Sequence, residues 1–200
     1  MSLIRRFSVL GLVSAAALAA ACSDRTPLAP AAGDRAVAVS GSADLLGITL
    51  TDVGGVVRKA PLKADVVASK LISNKAGASI AVAGTGLTVT IPAGALPRDT
   101  MTITVTALGG NAVAYDFEPA GTKFVAPLKL TQDAKYLSLL GTLMPTSMQA
   151  AYFADRSQVD ASTGNASVNE LLPTLVDIVG SKVSFNVSHF SGYMVSGGRR

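Results

Sequence analysis

The chain has 200 residues, with 17 basic and 13 acidic side chains, a formal net charge of +4 and a sequence pI near 9.4. A single histidine and a single cysteine exclude a metal centre of the His/Cys type, which takes three or four such ligands. The absence of tryptophan, with only four tyrosines, leaves no aromatic platform for stacking sugars, and no cluster of Lys and Arg marks a nucleic-acid surface.

The first element is at the N-terminus. Met1–Arg6 carries Arg5 and Arg6, and an uncharged apolar run from Phe7 to Ala21 ends in Leu18-Ala19-Ala20-Ala21-Cys22. A basic start, a short apolar core and small residues before a cut predict a secretory signal peptide over residues 1–21. The run falls short of the roughly 20 residues that a spanning helix needs, and no long apolar run recurs after Cys22. Removal of the leader takes away two arginines and no acid, which leaves 15 basic against 13 acidic residues, or +2. The nominal pI therefore overstates the basic character of the mature chain.

Cys22, the lone cysteine, stands at the predicted cut behind three alanines. This arrangement resembles the lipobox of bacterial lipoproteins, although Ala19 occupies the place that usually holds leucine and Leu18 lies one position earlier. The resemblance implies a diacylated Cys22 thiol, cleavage before Cys22, and a membrane anchor of two or more acyl chains, enough for stable attachment. It leaves no cysteine for a disulfide, so the fold must stand on its core. Ser23 follows where, in proteobacterial lipoproteins, an aspartate holds the protein at the inner membrane. The expected location is the cell envelope, with the outer membrane favoured if there is one.

Residues 22–60 read as the lipidated cysteine and a flexible tether. The stretch S-D-R-T-P-L-A-P-A-A-G-D-R-A has no periodic apolar face and cannot bury enough surface to offset its ordering entropy. Within it, residues 43–50 (A-D-L-L-G-I-T-L) are more apolar and are compatible with an early strand or a docking segment. The folded domain is expected over 61–200. Strands are predicted around Val66–Ile72, over 78–83, over 87–91 after the Gly84-Thr85-Gly86 turn, and over 100–107, where Met101, Ile103 and Val105 alternate with threonines. Further strands are expected at 113–118, 128–130 and 149–153, followed by a polar loop over 155–167. Residues 168–179 fit a strand pair or a short helix, with Pro173 against one long helix. Residues 182–196 close the chain as a β stretch in which Val183, Phe185 and Val187 share a face. Short alternating strands separated by Gly, Pro and Asn predict an all-β fold, an antiparallel β-sandwich.

Three stretches carry a further resemblance: L-T-V-T-I-P-A-G-A-L (87–96) with I-T-V-T (103–106), Y-D-F-E-P-A-G-T-K-F-V-A-P-L-K-L (115–130), and S-H-F-S-G-Y (188–193). In order and spacing they are similar to the ZU-five domain of zonula-occludens scaffolds, netrin receptors and ankyrins, over about residues 64–196. The region 132–180 carries no signature of that family. The resemblance implies a β-sandwich used for protein–protein contact. It also implies a candidate chemistry, because some members cut themselves within His-Phe-Ser. Carried over, Ser191 is the nucleophile, Phe190 supplies the carbonyl, His189 accepts the hydroxyl proton as a base beside a nucleophile, and Gly192 admits a strained turn.

The other reading of this stretch is structural. His189, Ser191 and Tyr193 continue the parity of Val183, Phe185 and Val187, so the stretch reads equally as an unbroken closing strand with a bulge at Gly192. In cutting members the released part carries further domains, whereas here Ser191–Arg200 follows, so the structural reading leads. A Ser-His-Asp hydrolase would have to use His189, and no spacing identifies its other members. Asp116 and Glu118 share a strand face, which suits the solvent side or a weak calcium site. No glycine-rich phosphate loop precedes a helix, and no cofactor is expected. Asn165-Ala-Ser and Asn186-Val-Ser match the glycosylation pattern, which a bacterial lipoprotein would not use. The expected function is a lipid-anchored envelope protein that presents a non-catalytic interaction or structural module to a protein partner, not to nucleic acid. The alternatives are self-cleavage between Phe190 and Ser191, and binding of an envelope polymer.

Overall fold

The computed structural model describes residues 50–138 and 147–199. The expected leader, Cys22 and the expected tether up to residue 49 lie outside the described residues, as does all of the 43–50 stretch except Leu50. Strands follow one another along the whole described chain, and it contains no α-helix. They are β1 (Thr51–Gly55), β2 (Val57–Leu62), β3 (Val66–Ser73), β4 (Ala78–Ala81), β5 (Leu87–Ile91), β6 (Thr100–Ala107), β7 (Gly110–Ala112), β8 (Ala114–Glu118), β9 (Lys123–Asp133), β10 (Leu137–Ser138), β11 (Gln149–Phe153), β12 (Ala166–Val168), β13 (Glu170–Leu172), β14 (Thr174–Asp177), β15 (Lys182–His189) and β16 (Gly192–Arg199).

The alternation that predicts the strands also decides their faces. Along β6, Met101, Ile103, Val105 and Ala107 are buried while the intervening threonines stay exposed or half-buried. Successive side chains of a strand point to opposite faces, and β-branched residues suit a half-buried pleat. All paired strands are antiparallel. The larger sheet runs β12-β1-β16-β8-β6-β3, and β11 also pairs with β16 and carries β13. The second runs β14-β15-β9-β5-β4, and a small third sheet runs β10-β2-β7.

The two larger sheets pack as a sandwich. Ile103, Val105, Phe117, Tyr193 and Val195 from one meet Val89, Leu128, Leu130, Val183 and Phe185 from the other in a single buried cluster. A second, smaller cluster lies on the opposite face of the larger sheet. Met194 sits between Tyr193 and Val195, so it points the other way and packs with Ala114, Ala151, Phe153 and Val168. Val159 and Ala166, paired by an isolated bridge within the expected loop over 155–167, belong to the same cluster.

Three sequence expectations change. Strands begin upstream of the expected boundary at 61, because Val53 and Val56 are fully buried and belong to the core. Residues 168–179 hold the end of β12 at Val168 and then two strands that do not pair with each other. Pro173 separates β13, which joins the larger sheet through β11, from β14, which pairs with β15 in the other. Residues 182–196 are not one strand: β15 ends at His189 in the second sheet, and β16 starts at Gly192 in the larger one.

Candidate functional site at the crossover between the sheets

The stretch S-H-F-S-G-Y carries the chain from one sheet to the other. Val183, Phe185 and Val187 face the core as alternation requires. The register against β9 then shifts, from Val187 opposite Leu128 to His189 opposite Lys123. The expected bulge is therefore before His189 and not at Gly192. After it, Phe190 and Ser191 cross to β16.

The β8–β9 turn holds the crossing in place. The Phe190 amide donates to the Thr122 carbonyl at 2.8 Å, and the Gly121 amide donates to the Phe190 carbonyl at 3.0 Å. Gly121 has φ +73°, a left-handed conformation open to glycine at little cost, which is why the turn takes a glycine there. Thr122 closes the turn by donating its hydroxyl to the Pro119 carbonyl at 2.7 Å. The Phe190 ring is buried, stacked on Phe117 with centroids 5.4 Å apart and edge-on to Phe124 at 4.6 Å.

His189 and Ser191 are two residues apart and hold different partners. The Tyr193 hydroxyl donates to the His189 carbonyl at 2.7 Å and lies 3.3 Å from His189 Nδ1. The imidazole meets the Tyr152 ring edge to face at 5.1 Å. The Ser191 hydroxyl instead donates to the Phe153 carbonyl at 3.4 Å, and no hydrogen bond joins it to His189 among the described residues. Burial pushes the Tyr193 phenol well above its usual range, with the neighbouring Tyr152 adding to the shift. Tyr193 therefore stays a neutral donor. Phe190 and Ser191 are not among the residues with positive φ, so the turn carries no strain of that kind. Gly192 meets a different need. A Cβ there would lie 2.0 Å from the Phe153 ring, so the position must be bare for that ring to cross it.

Asp116 and Glu118 do share a face of β8, as alternation predicts. Asp116 lies opposite Gly192 and Thr106, and Glu118 lies opposite Thr104. Burial raises the Asp116 carboxyl above the usual carboxylate range, and the Arg156 charge partly opposes it. No group of three His, Cys, Asp or Glu side chains among the described residues is placed to hold a metal ion. The 119–122 turn also walls a cleft of about 700 Å3, where Arg98 and Lys123 bring two cations beside Thr100 and Thr102. Sequence reasoning missed the Gly121 amide and the two tyrosines on His189. Backbone donors have no sequence signal, and Tyr152 lies far from His189 in the chain. No protein-family model matches the chain, and no curated protein matches it.

Proposed function

We propose that the protein is an envelope lipoprotein, anchored through acylated Cys22, whose β-sandwich is a non-catalytic interaction or structural module for a protein partner. The observation that carries this reading is the engagement of His189. Its ring and carbonyl serve Tyr193, and its imidazole packs on Tyr152. A general base has to lie within hydrogen-bond reach of the proton it takes. Here the Ser191 proton goes to the Phe153 carbonyl. The Phe190 ring belongs to the same aromatic cluster and closes the sandwich at this end.

Self-cleavage is the second reading, and one contact favours it. The Gly121 amide already donates to the Phe190 carbonyl, the oxygen that would take up charge if the Ser191 hydroxyl attacked that carbon. In that step the Ser191 Oγ–carbon bond forms and the peptide C–N bond breaks. The hydroxyl proton passes to the freed amine by way of a base, and water then hydrolyses the ester.

One measurement separates these readings. The full chain is expressed with its own leader, and the intact mass of the denatured protein is compared with that of Ser191→Ala and Cys22→Ser variants. The expected result is one species that begins at acylated Cys22 and is unbroken at 190–191. A fragment ending at Phe190 that vanishes in Ser191→Ala overturns the non-catalytic reading. A mature chain without acyl mass overturns the anchor.

A further inference from the structure

The outer face of β14 and the turn from β14 to β15 present aliphatic side chains to solvent. Val179 is 99% exposed, Leu175 67% and Ile178 59%. The turn is tightly built: the Gly180 amide donates to Asp177 Oδ1 at 2.8 Å, and Ser181 takes φ +50°. The Asp177 carboxylate is thereby drawn back under the turn, and residues 178–181 (Ile-Val-Gly-Ser) form a projecting apolar tip without a charge.

The topology gives this tip a position. Phe190–Ser191 joins β15 to β16 at one end of the sandwich, so Lys182 at the start of β15 and Arg199 at the close of β16 lie toward the other. Met148, beside the β16 end, and Ile178, beside the β15 start, line one small cavity, so these two ends are neighbours. In the antiparallel pairing of β1 with β16, Gly55 lies opposite Ser196 and Val53 opposite Arg199. The described chain therefore enters, at Leu50 and Thr51, at the end that carries the apolar tip.

We infer that the Ile178–Val179 tip, with Leu175 behind it, is a second membrane contact that dips into the lipid interface. This rests on the proposed anchor at Cys22. A chain of fewer than 30 residues joins Cys22 to Leu50 and reaches at most about 100 Å even if fully extended. Such a link turns a weak surface contact into an intramolecular one at high effective concentration. The shape of the patch also selects its occupant. Stable protein interfaces bury about 800 Å2 per partner, whereas two adjacent aliphatic residues on a convex tip offer little area to a rigid surface. A fluid bilayer adapts to such a tip, and interfacial binding scales with the apolar area inserted. The charges at this end nearly balance, because Lys135 and Lys182 stand beside Asp133 and Asp177, and Arg199 lies opposite Val53, next to Asp52. Docking should therefore survive high salt.

The chain offers two clean handles for a test. It has no tryptophan, so Val179→Trp introduces a unique reporter, and it has one cysteine, so Cys22 couples specifically to maleimide. The mature chain from Cys22, made without acyl groups, is coupled to phosphatidylethanolamine–phosphatidylglycerol vesicles that carry a maleimide headgroup. The expected result is a blue shift of the introduced indole and quenching by bromine-substituted acyl chains, both persisting in 0.5 M salt and both reduced by adding Ile178→Ser. Val125→Trp, at a residue 74% exposed on β9, should show neither. Emission identical to that of the same protein capped with N-ethylmaleimide in solution overturns the inference. So does a concentration-dependent shift without vesicles, which assigns the tip to a second copy of the chain. Because the coupling is chemical, these outcomes do not depend on whether a cell acylates Cys22.

Discussion

The Tyr193 hydroxyl lies 2.7 Å from the His189 carbonyl oxygen, so the second residue of β16 is bonded to the last residue of β15 across the crossing. This contact locks the geometry in which the chain leaves one sheet and enters the other. A phenylalanine at 193 keeps the ring contacts with Phe117 and Phe185 and removes only the donor. His189 is half-buried, and a hydrogen bond of this kind contributes about 0.5–1.5 kcal/mol net. Tyr193→Phe is expected to lower the unfolding free energy by that amount, seen as a lower urea midpoint with an unchanged m value. A shift within error would show that the hydroxyl does not hold the crossing.

Phe190 closes the same end of the core. Its ring is 1% exposed and meets Phe117 and Phe124, so truncation removes both area and aromatic geometry. Phe190→Ala is expected to cost about 3–5 kcal/mol, and Phe190→Leu distinctly less, because leucine refills much of the volume. Equal effects would mean that the ring geometry, not the volume, is what matters there.

The crossing also shows what was legible in the sequence. The alternation of β5 and β6 gives their limits residue for residue, because one face of each is buried and the pattern has period two. The same rule misleads at 182–196. Parity alone carries the face of Val187 on through His189 and Ser191, and it cannot register a shift against β9 or a change of sheet. Those depend on Thr122 and Gly121, which are distant in sequence and act through backbone groups. Strands β1 and β2 were hidden for another reason. T-D-V-G-G-V-V-R-K-A-P-L has Gly and Pro among few apolar residues, and the buried apolar side chains it gives the core are Val53 and Val56, with Leu62 packed at the edge and the unexpected Arg58 between them.

Gly192 gives a prediction that separates packing from backbone freedom. Its backbone is not in the left-handed region, and the obstacle to a side chain is the Phe153 ring. Gly192→Ala is expected to destabilise by about 1–3 kcal/mol through overpacking. In the Phe153→Leu background, which removes most of the ring, the same change should cost less. A double-mutant cycle by chemical denaturation measures that coupling. Additive costs would show that glycine is needed at 192 for its backbone after all.

Two carboxylates predict opposite pH behaviour. The Gly109 amide, together with Arg156 at 2.7 Å, holds Asp65 below its ordinary value. A lowered folded pKa adds stability above the unfolded value near 4, which is lost as pH falls through the folded pKa. Asp65→Asn should therefore destabilise at pH 7, with the difference vanishing in strong acid. Asp116 is the reverse case. Desolvation raises its pKa against the pull of Arg156, and Glu118 and Asp155 add repulsion. Its ionised form is disfavoured by folding, so the associated stability is present at low pH and lost as pH rises through the folded pKa. Asp116→Asn should raise the melting temperature at pH 7 and leave it unchanged near pH 3. Thermal melts of both variants from pH 3 to 8 test the signs, and curves that move in parallel would contradict the assignment.

Arg58 of β2 is the least expected group in the core. It is 4% exposed, and Nη1 donates to the Tyr115 hydroxyl at 3.3 Å, while Nε and Nη2 have no partner among the described residues. Its guanidinium lies 5.1 Å from the Tyr115 ring centroid. Beyond it the network is complete without help: Tyr115 donates to Gln132 Oε1 at 2.5 Å, and Gln132 Nε2 donates to the Thr85 carbonyl at 2.8 Å. A desolvated cation loses several kcal/mol of hydration, and a cation–π contact returns about 2 kcal/mol. Methionine has similar length and no donors, and it leaves the Tyr115–Gln132–Thr85 chain intact. Arg58→Met is expected to stabilise the protein by about 1–3 kcal/mol, seen as a higher urea midpoint. Gln132→Leu should do the opposite, because it leaves the Tyr115 hydroxyl and the Thr85 carbonyl buried without their partner. If Arg58→Met instead destabilises while the fold is kept, the guanidinium is satisfied in solution by an anion, and the stability of the parent protein should then rise with chloride or phosphate concentration while that of the variant does not.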